Sequence, residues 1–393
     1  MSNEIKVSVI IPSYNSEQYI DECVRSVMNQ SLKDIEIITI DAMSEDNTIT
    51  ILNELKDLDS RIQIIESDIR SYGHQMNIGF ENATGKYLAI VESDDFIDEH
   101  MLEDLFNLAE NNDADICKTT FYYYYDESKC VINNEKEDLK DVKSTFEVKE
   151  YPLFLKGHPS IWSAIYKNSF IKENNIKFVE AEGAGWVDNP FLHETGILAK
   201  KILYRHKPYY YYRQTNINSS SNNLRDITIP LKRIIESLEI LDKYNYHDEE
   251  VLKAVYERVF VYMNGVFRRK EQFNENKEEA LQYIQKMLLM LDENIVKKLS
   301  RDMQDNYYKY ISPLPSFNLN DSDINLSNKD LKLLVKENDY LYDEIRTYKS
   351  NNSKLKKKNK KIQNEINLIK ESKSYRLCNF LVSPIRKLKK IFK

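Results

Sequence analysis

Acidic side chains gathered at three points indicate the chemistry this chain is equipped for. Asp41 closes the apolar run IEIITI, the tetrad ESDD (Glu92, Ser93, Asp94, Asp95) follows KYLAIV, and Asp188 stands in GWVDNP. Carboxylates crowded at the end of a buried strand repel one another unless something positive joins them. Hard divalent cations bind carboxylate and phosphate oxygens together, so Mn2+ or Mg2+ bridging to a diphosphate suits ESDD. The plain alternative is a solvated acidic loop; the position directly behind a buried strand favours the cation. His158, His193 and His206 read as structural. Cys23, Cys117, Cys130 and Cys378 are scattered without metal-site or disulfide-framework spacing.

The elements that must position these groups are legible from hydrophobic pattern. KVSVII (6–11), IEIITI (35–40), RIQIIES (61–67) and KYLAIVE (86–92) are β-branched, nearly continuous apolar runs, as in strands buried on both faces. Pro12 is expected to end the first. Helical spacing spans Ser16 to Asn29 and Asp46 to Leu58, and a short helix is expected over Asn77 to Asn82. Strands alternating with helices imply an α/β, mostly parallel sheet whose ligands sit beyond the carboxyl ends of the strands. The loops after Ile11, Ile40, Ser67 and Val91 then converge on one crevice. Between 115 and 225 the pattern loosens. The tyrosine runs 122–125 and 209–212 read as sheet packing rather than a binding platform, and residues 226–300 return to helical periodicity.

The segments VSVIIPSYNSEQYIDECVRSVMNQ, IDAMSEDNT and GHQMNIGFENATGKYLAIVESDDFI occur in order, followed by HPSIWSAIYKNSFIKENNIKF and GAGWVDNPFLHETGILAKKILYRHKPYYYYRQTNINSS. As a set they resemble family 2 glycosyltransferases, over about residues 5–225, and most closely bacterial members that build surface polysaccharide and lipopolysaccharide. The resemblance implies a GT-A fold, a Rossmann-like sheet flanked by helices. It also implies inverting transfer of a hexose or N-acetylhexosamine from a UDP-sugar to a glycan or lipid-linked acceptor. It assigns Pro12, Tyr14 and Asn15 to the first nucleotide loop, Asp41 to the uracil ring, and Asn77, Ser93, Arg213 and Ser219 to the donor. Glu92, Asp94 and Asp95 fall to the metal, and Asp188 to the general base. Three positions depart from the family pattern: Met76 replaces an arginine, Glu92 an aspartate and Val187 a glutamate. Trp162 and Trp186 are candidate platforms for acceptor sugars, with core packing as the alternative. Asp188 reads alternatively as a helix cap ahead of Pro190, and Trp186 beside it is expected to desolvate its carboxyl.

Charge is uneven. From Lys354 to Lys393 there are 12 Lys, 2 Arg and 2 Glu, a net +12 in a chain of net −7, which leaves an acidic body unsuited to nucleic acid. The expected layout is a GT-A domain over 1–225, a helical region over 226–312, a linker over 313–330, a coiled coil over 331–370 and a basic amphipathic tail over 371–393. The coiled coil rests on heptads with Leu331, Asn338, Ile345, Asn352, Asn359 and Ile366 at a, and Leu334, Leu341, Tyr348, Leu355, Ile362 and Ile369 at d. Asparagines at a favour a defined register and a parallel homodimer; a solvated single helix is the alternative. In the tail, apolar residues such as Phe380, Leu381 and Leu388 alternate with lysines, which suits an anionic membrane surface through 374–393. No 18-residue apolar window and no signal-peptide pattern is present, so the expected location is cytoplasmic, peripheral at the inner face of the membrane. Two other functions compete with this reading. Nucleotidyl transfer lacks its glycine-rich basic loop here, and a non-catalytic scaffold assembled through the coiled coil is the reading from a different class.

Overall fold

In the computed structural model, residues 4–311 are described, except 127–129, 134–138, 140, 141, 143, 184, 217–223 and 225. Ser219, the linker, the coiled-coil heptads and the basic tail therefore lie outside the described residues.

The first half is built as βα units. They comprise β1 (Val7–Ser13), α1 (Ile20–Met28), β2 (Ile35–Asp41), α2 (Thr48–Leu58), β3 (Ile62–Glu66), α3 (Tyr72–Asn82) and β4 (Tyr87–Ile90). These four strands pair in parallel in the order β3-β2-β1-β4, with Val7 opposite Ile35 on one side and Tyr87 on the other. β1 and β4 are buried along their whole length, which is why they read as unbroken apolar runs. β1 does not stop at Pro12; it runs through to Ser13, with Pro12 opposite Ile40. The third helix also starts earlier than expected. Ser71 caps it by accepting from the His74 N–H, and Gly73 sits in its first turn because a Cβ there would fall 1.9 Å from the Val179 carbonyl oxygen. Polar, glycine-containing SYGHQ hides helical periodicity that the apolar pattern cannot register.

The second half differs from the mostly parallel expectation. After β5 (Phe96–Ile97) and α4 (Met101–Asn112) come β6 (Ile116–Tyr125) and β7 (Cys130–Asn133). They are followed by α5 (Leu153–Lys156), β8 (Ala164–Lys167), α6 (Asn168–Glu173), α7 (Asp188–Leu198) and β9 (Ile202–Arg213). β8 inserts antiparallel between β4 and β6, β9 lies parallel to β6, and β5 and β7 add antiparallel pairs, so the nine-stranded sheet is mixed. The tyrosine runs fall on β6 and β9, whose side chains meet in register: Tyr122 stacks on Tyr211 at 5.1 Å. That is the sheet packing expected of them.

Six helices follow: α8 (Ile229–Lys243), α9 (Glu249–Arg268), α10 (Lys270–Glu275), α11 (Lys277–Leu289), α12 (Glu293–Val296) and α13 (Arg301–Ile311). Their buried faces, such as Leu231, Ile234 and Leu238 on α8 and Val251, Val255 and Val259 on α9, belong to the same core cluster as the sheet. α8 packs on α7, and α9 on α5. From the end of β9 at Arg213 to the start of α8 at Ile229 the chain passes from sheet to helix within one continuous core.

Candidate active site

The carboxyl ends of β1, β2 and β4 are knitted into one rim by side-chain hydrogen bonds. Asp41, 1% exposed, accepts from Ser13 Oγ at 2.9 Å and from the backbone N–H and hydroxyl of Ser44. Asn15, in the left-handed region that asparagine tolerates, donates its backbone N–H to Ser44 Oγ and accepts the Glu45 N–H at its Oδ1. Gln75 reaches from α3 to the carbonyls of Ser13 and Ile40. The Ser16 and Ser93 hydroxyls bond at 2.8 Å, which joins the loop after β1 to ESDD. Tyr14 is left 41% exposed, with the Arg70 guanidinium 4.9 Å above its ring and that guanidinium paired with exposed Glu45.

Within ESDD the three carboxylates do different things. Asp95 is buried and fully engaged: Tyr210 Oη donates to Oδ2 at 2.8 Å and the Arg213 N–H donates to Oδ1 at 2.7 Å. Asp95 thus fastens β9 to the turn. Asp94, half-buried, accepts from the Asn216 amide at 2.8 Å. Glu92 accepts from Tyr72 Oη at 2.7 Å. Burial pushes Glu92 up to about 8, and the charges of Asp94 and Asp188 push the same way against the Tyr72 hydrogen bond. Burial likewise raises Asp94. Glu92 therefore feels the charges of both Asp94 and Asp188. Among the described residues no three His, Cys, Asp or Glu side chains converge tightly enough to hold a metal alone. The donor set fits a cation held by Asp94, with Glu92 near, and completed by diphosphate oxygens.

Arg213 is 3% exposed. Its guanidinium is boxed by the rings of Tyr19, Phe96 and Tyr124 and donates to the Asp94 carbonyl, Glu22 and Asp126. It holds the ESDD turn from behind. Asn77 is also turned away from the rim. Its amide donates to the Phe178 carbonyl and Glu180, and its Oδ1 accepts the Phe178 N–H, so it clamps the 178–180 segment onto α3.

The same segment leads to Asp188. Gly183 bonds both ways with Arg70 and Tyr72, and Gly183, Gly185 and Trp186 all take positive φ before α7 begins. Asp188 is the first residue of α7; Val187 occupies the cap position, and no capping bond from a side chain is made. Burial raises the Asp188 carboxyl, as expected from its apolar surroundings. Trp186 is half-buried, edge-on to Tyr262 at 6.0 Å. Trp162 is 5% exposed, stacked on Tyr210 at 4.1 Å and edge-on to Phe121. Its ring packs in the core, the alternative that the sequence left open.

The model of the Glycosyl transferase family 2 domain matches residues 8–171, the part that carries the rim and ESDD. Glycosyltransferase GlyG of Streptococcus pneumoniae serotype 4 is 30% identical over 229 residues, 53% of this chain and 70% of GlyG. The chain is a family 2 glycosyltransferase. A second relative of this glycosyltransferase is the poly(ribitol-phosphate) beta-glucosyltransferase of Bacillus spizizenii, 32% identical over 216 residues, 53% of this chain but 32% of that protein. Among solved structures, S. aureus TarS 1–349 in complex with UDP-GlcNAc superposes with a TM-score of 0.61 at 19% identity, covering 78% of this chain and 90% of that one. The likeness establishes the shared GT-A fold. Among the described residues of this glycosyltransferase, no helix is long and apolar enough to cross a membrane.

Several residues of the site escape a sequence reading. Arg70, Tyr72 and Asn216 lie in unpatterned loops or at a helix start. Tyr210 sits inside a tyrosine run whose other members pack in the sheet or, like Tyr209, bond to an acidic neighbour, Asp104. Nothing local distinguishes them, because their roles arise from partners 20 to 122 residues away.

Proposed function

We propose that this glycosyltransferase transfers a hexose or N-acetylhexosamine from a UDP-sugar to a hydroxyl of a surface glycan or its lipid-linked precursor, with inversion. The observation that supports the reading best is that Asp94 and Glu92, in the turn after β4, are joined through Ser93 and Ser16 to the rim formed by Asp41, Asn15 and Tyr14. Tyr14 stacks near the base, Asp41 accepts from the uracil ring, and Pro12, Asn15 and Ser93 shape the loops around it. Arg70 supplies positive charge on the face where Met76, fully buried, cannot. Ser219 is assigned to the diphosphate by resemblance alone.

A divalent cation, Mn2+ or Mg2+, held by Asp94 with Glu92 adjacent, would stabilise the charge that develops on the departing UDP. Asp188 takes the proton of the attacking hydroxyl; a carboxylate raised by burial is a stronger base than one in water. Attack opposite the leaving group by a single displacement inverts the anomeric centre. Trp186 flanks the acceptor. The donor identity is supported by the UDP-GlcNAc bound in the TarS structure and the acceptor class by the beta-glucosyltransferase relative. The heptads of 331–370 are proposed to dimerise the enzyme, and the tail to hold it on an anionic inner membrane face.

The test is a panel of UDP-sugars with Mn2+, read by UDP release and by the anomeric configuration of the product. Retention of configuration, or no turnover that depends on Asp94, overturns the reading. Truncation at residue 330 should yield a monomer that no longer sediments with anionic vesicles.

A further inference from the structure

The family model ends at residue 171, yet α9 reaches the catalytic segment. Arg258 on α9 is buried. Its Nη1 donates to the carbonyls of Lys156, at 3.0 Å, and Gly157; its Nη2 donates to Asn189 Oδ1 and to Tyr262 Oη, the latter at 3.0 Å. Asn189, itself buried, turns its Nδ2 to Asp188 Oδ1 at 3.0 Å. The chain Arg258–Asn189–Asp188 therefore runs from the appended helices to the proposed base. Among the described residues the Asn189 amide is the side-chain donor recorded on Asp188.

We propose that Arg258 is a positioning residue for sugar transfer: by fixing the Asn189 amide it sets the orientation of the Asp188 carboxylate, so that the helical region completes the active site. The proposal rests on Asp188 acting as the base. The physical case is a choice between two ways of holding a carboxylate. A guanidinium bonded directly to it would occupy its oxygens and, by stabilising the anion, make it a poorer base. A neutral amide placed between them transmits geometry while keeping the full positive charge one hydrogen bond away. The guanidinium is itself held, because the carbonyls of Lys156 and Gly157 take Nη1 and Tyr262 takes a second bond from Nη2. A buried amide held on both sides has one orientation; released, it can flip and present an oxygen to Asp188 in place of a donor.

Asn189→Asp separates this from a merely structural tie. It retains an acceptor for Arg258 Nη2 but removes the donor to Asp188. Using the full chain with Mn2+ and UDP-GlcNAc or UDP-glucose, and reading UDP release, Asn189→Asp should keep the wild-type KM for donor and a Tm within a few degrees, while kcat falls about 10- to 100-fold. Arg258→Lys, which keeps the charge but not the fork, should show the same split between kcat and KM. Wild-type kcat in Asn189→Asp, beside an inactive Asp188→Asn, overturns the proposal and leaves the base reading standing. Wild-type turnover in Asp188→Asn overturns the base reading, and this proposal with it. If Arg258→Lys does not fold, Asn189→Asp alone decides.

Discussion

The backbone N–H of Arg213 donates to Asp95 Oδ1 at 2.7 Å, tying the last residue of β9 to the turn that follows β4, 118 residues earlier. The Tyr210 hydroxyl, three residues earlier on β9, donates to the other Asp95 oxygen and accepts the Glu92 N–H. Neighbouring aspartates thus divide the work: Asp95 holds the turn, and Asp94, half-buried, meets Asn216 instead. Asp95→Ala should destabilise the protein by about 2–4 kcal/mol, since it strands two buried donors. Asp94→Ala should leave Tm nearly unchanged and abolish turnover. Denaturant unfolding and UDP release measured on both variants check the division; equal stability of the two would refute it.

Asp188→Asn preserves size and hydrogen-bonding shape but cannot accept the proton. Transfer should fall about 10²- to 10⁴-fold with donor affinity unchanged. Calorimetric titration of UDP-GlcNAc alongside the rate assay separates the two quantities.

Tyr14 and Arg70 are exposed, stacked and outside the core. Tyr14→Ala and Arg70→Ala should fold normally and weaken UDP binding about 3- to 10-fold each, in line with the strength of aromatic and cation–π contacts. Unchanged UDP affinity in both would remove this face from the donor site.

His193 lies fully buried on α7. Burial, aided by the Arg258 charge, pushes its imidazole down to about 3. A histidine depressed in the folded state stabilises the fold above its unfolded value near 6.5, and that contribution is lost as pH falls towards 3. At pH 5.5 the loss should be about 1.4 kcal/mol relative to neutral pH. His193→Leu should flatten the change in Tm between pH 7.5 and 5.5; a slope equal to wild type would show that His193 protonates freely in the fold.

Gly73→Ala places a Cβ against the Val179 carbonyl, which is backbone and cannot step aside. A loss of about 1–3 kcal/mol is expected, together with reduced transfer, because the segment displaced is the one that leads to Asp188. Thermal melts and rate assays on purified protein test both parts.

The sequence by itself determined the parallel half of the sheet, the family and the acidic groups worth watching. Buried strands announce themselves by apolar runs such as KVSVII and IEIITI, and ESDD and Asp41 follow directly from strand ends. Tertiary structure decided which of those groups face the crevice. Asp94 and Asp95 are adjacent and chemically alike; only the arrival of Tyr210 and Arg213 on β9 makes one a fastening, while the other meets Asn216. Asn77 and Trp162 bond and pack against Phe178 and Tyr210, partners from distant parts of the chain that no local pattern announces. The link from Arg258 to Asp188 is of the same kind. A hydrogen bond depends on where two groups meet in space, and local pattern records only which face of its own element each residue occupies.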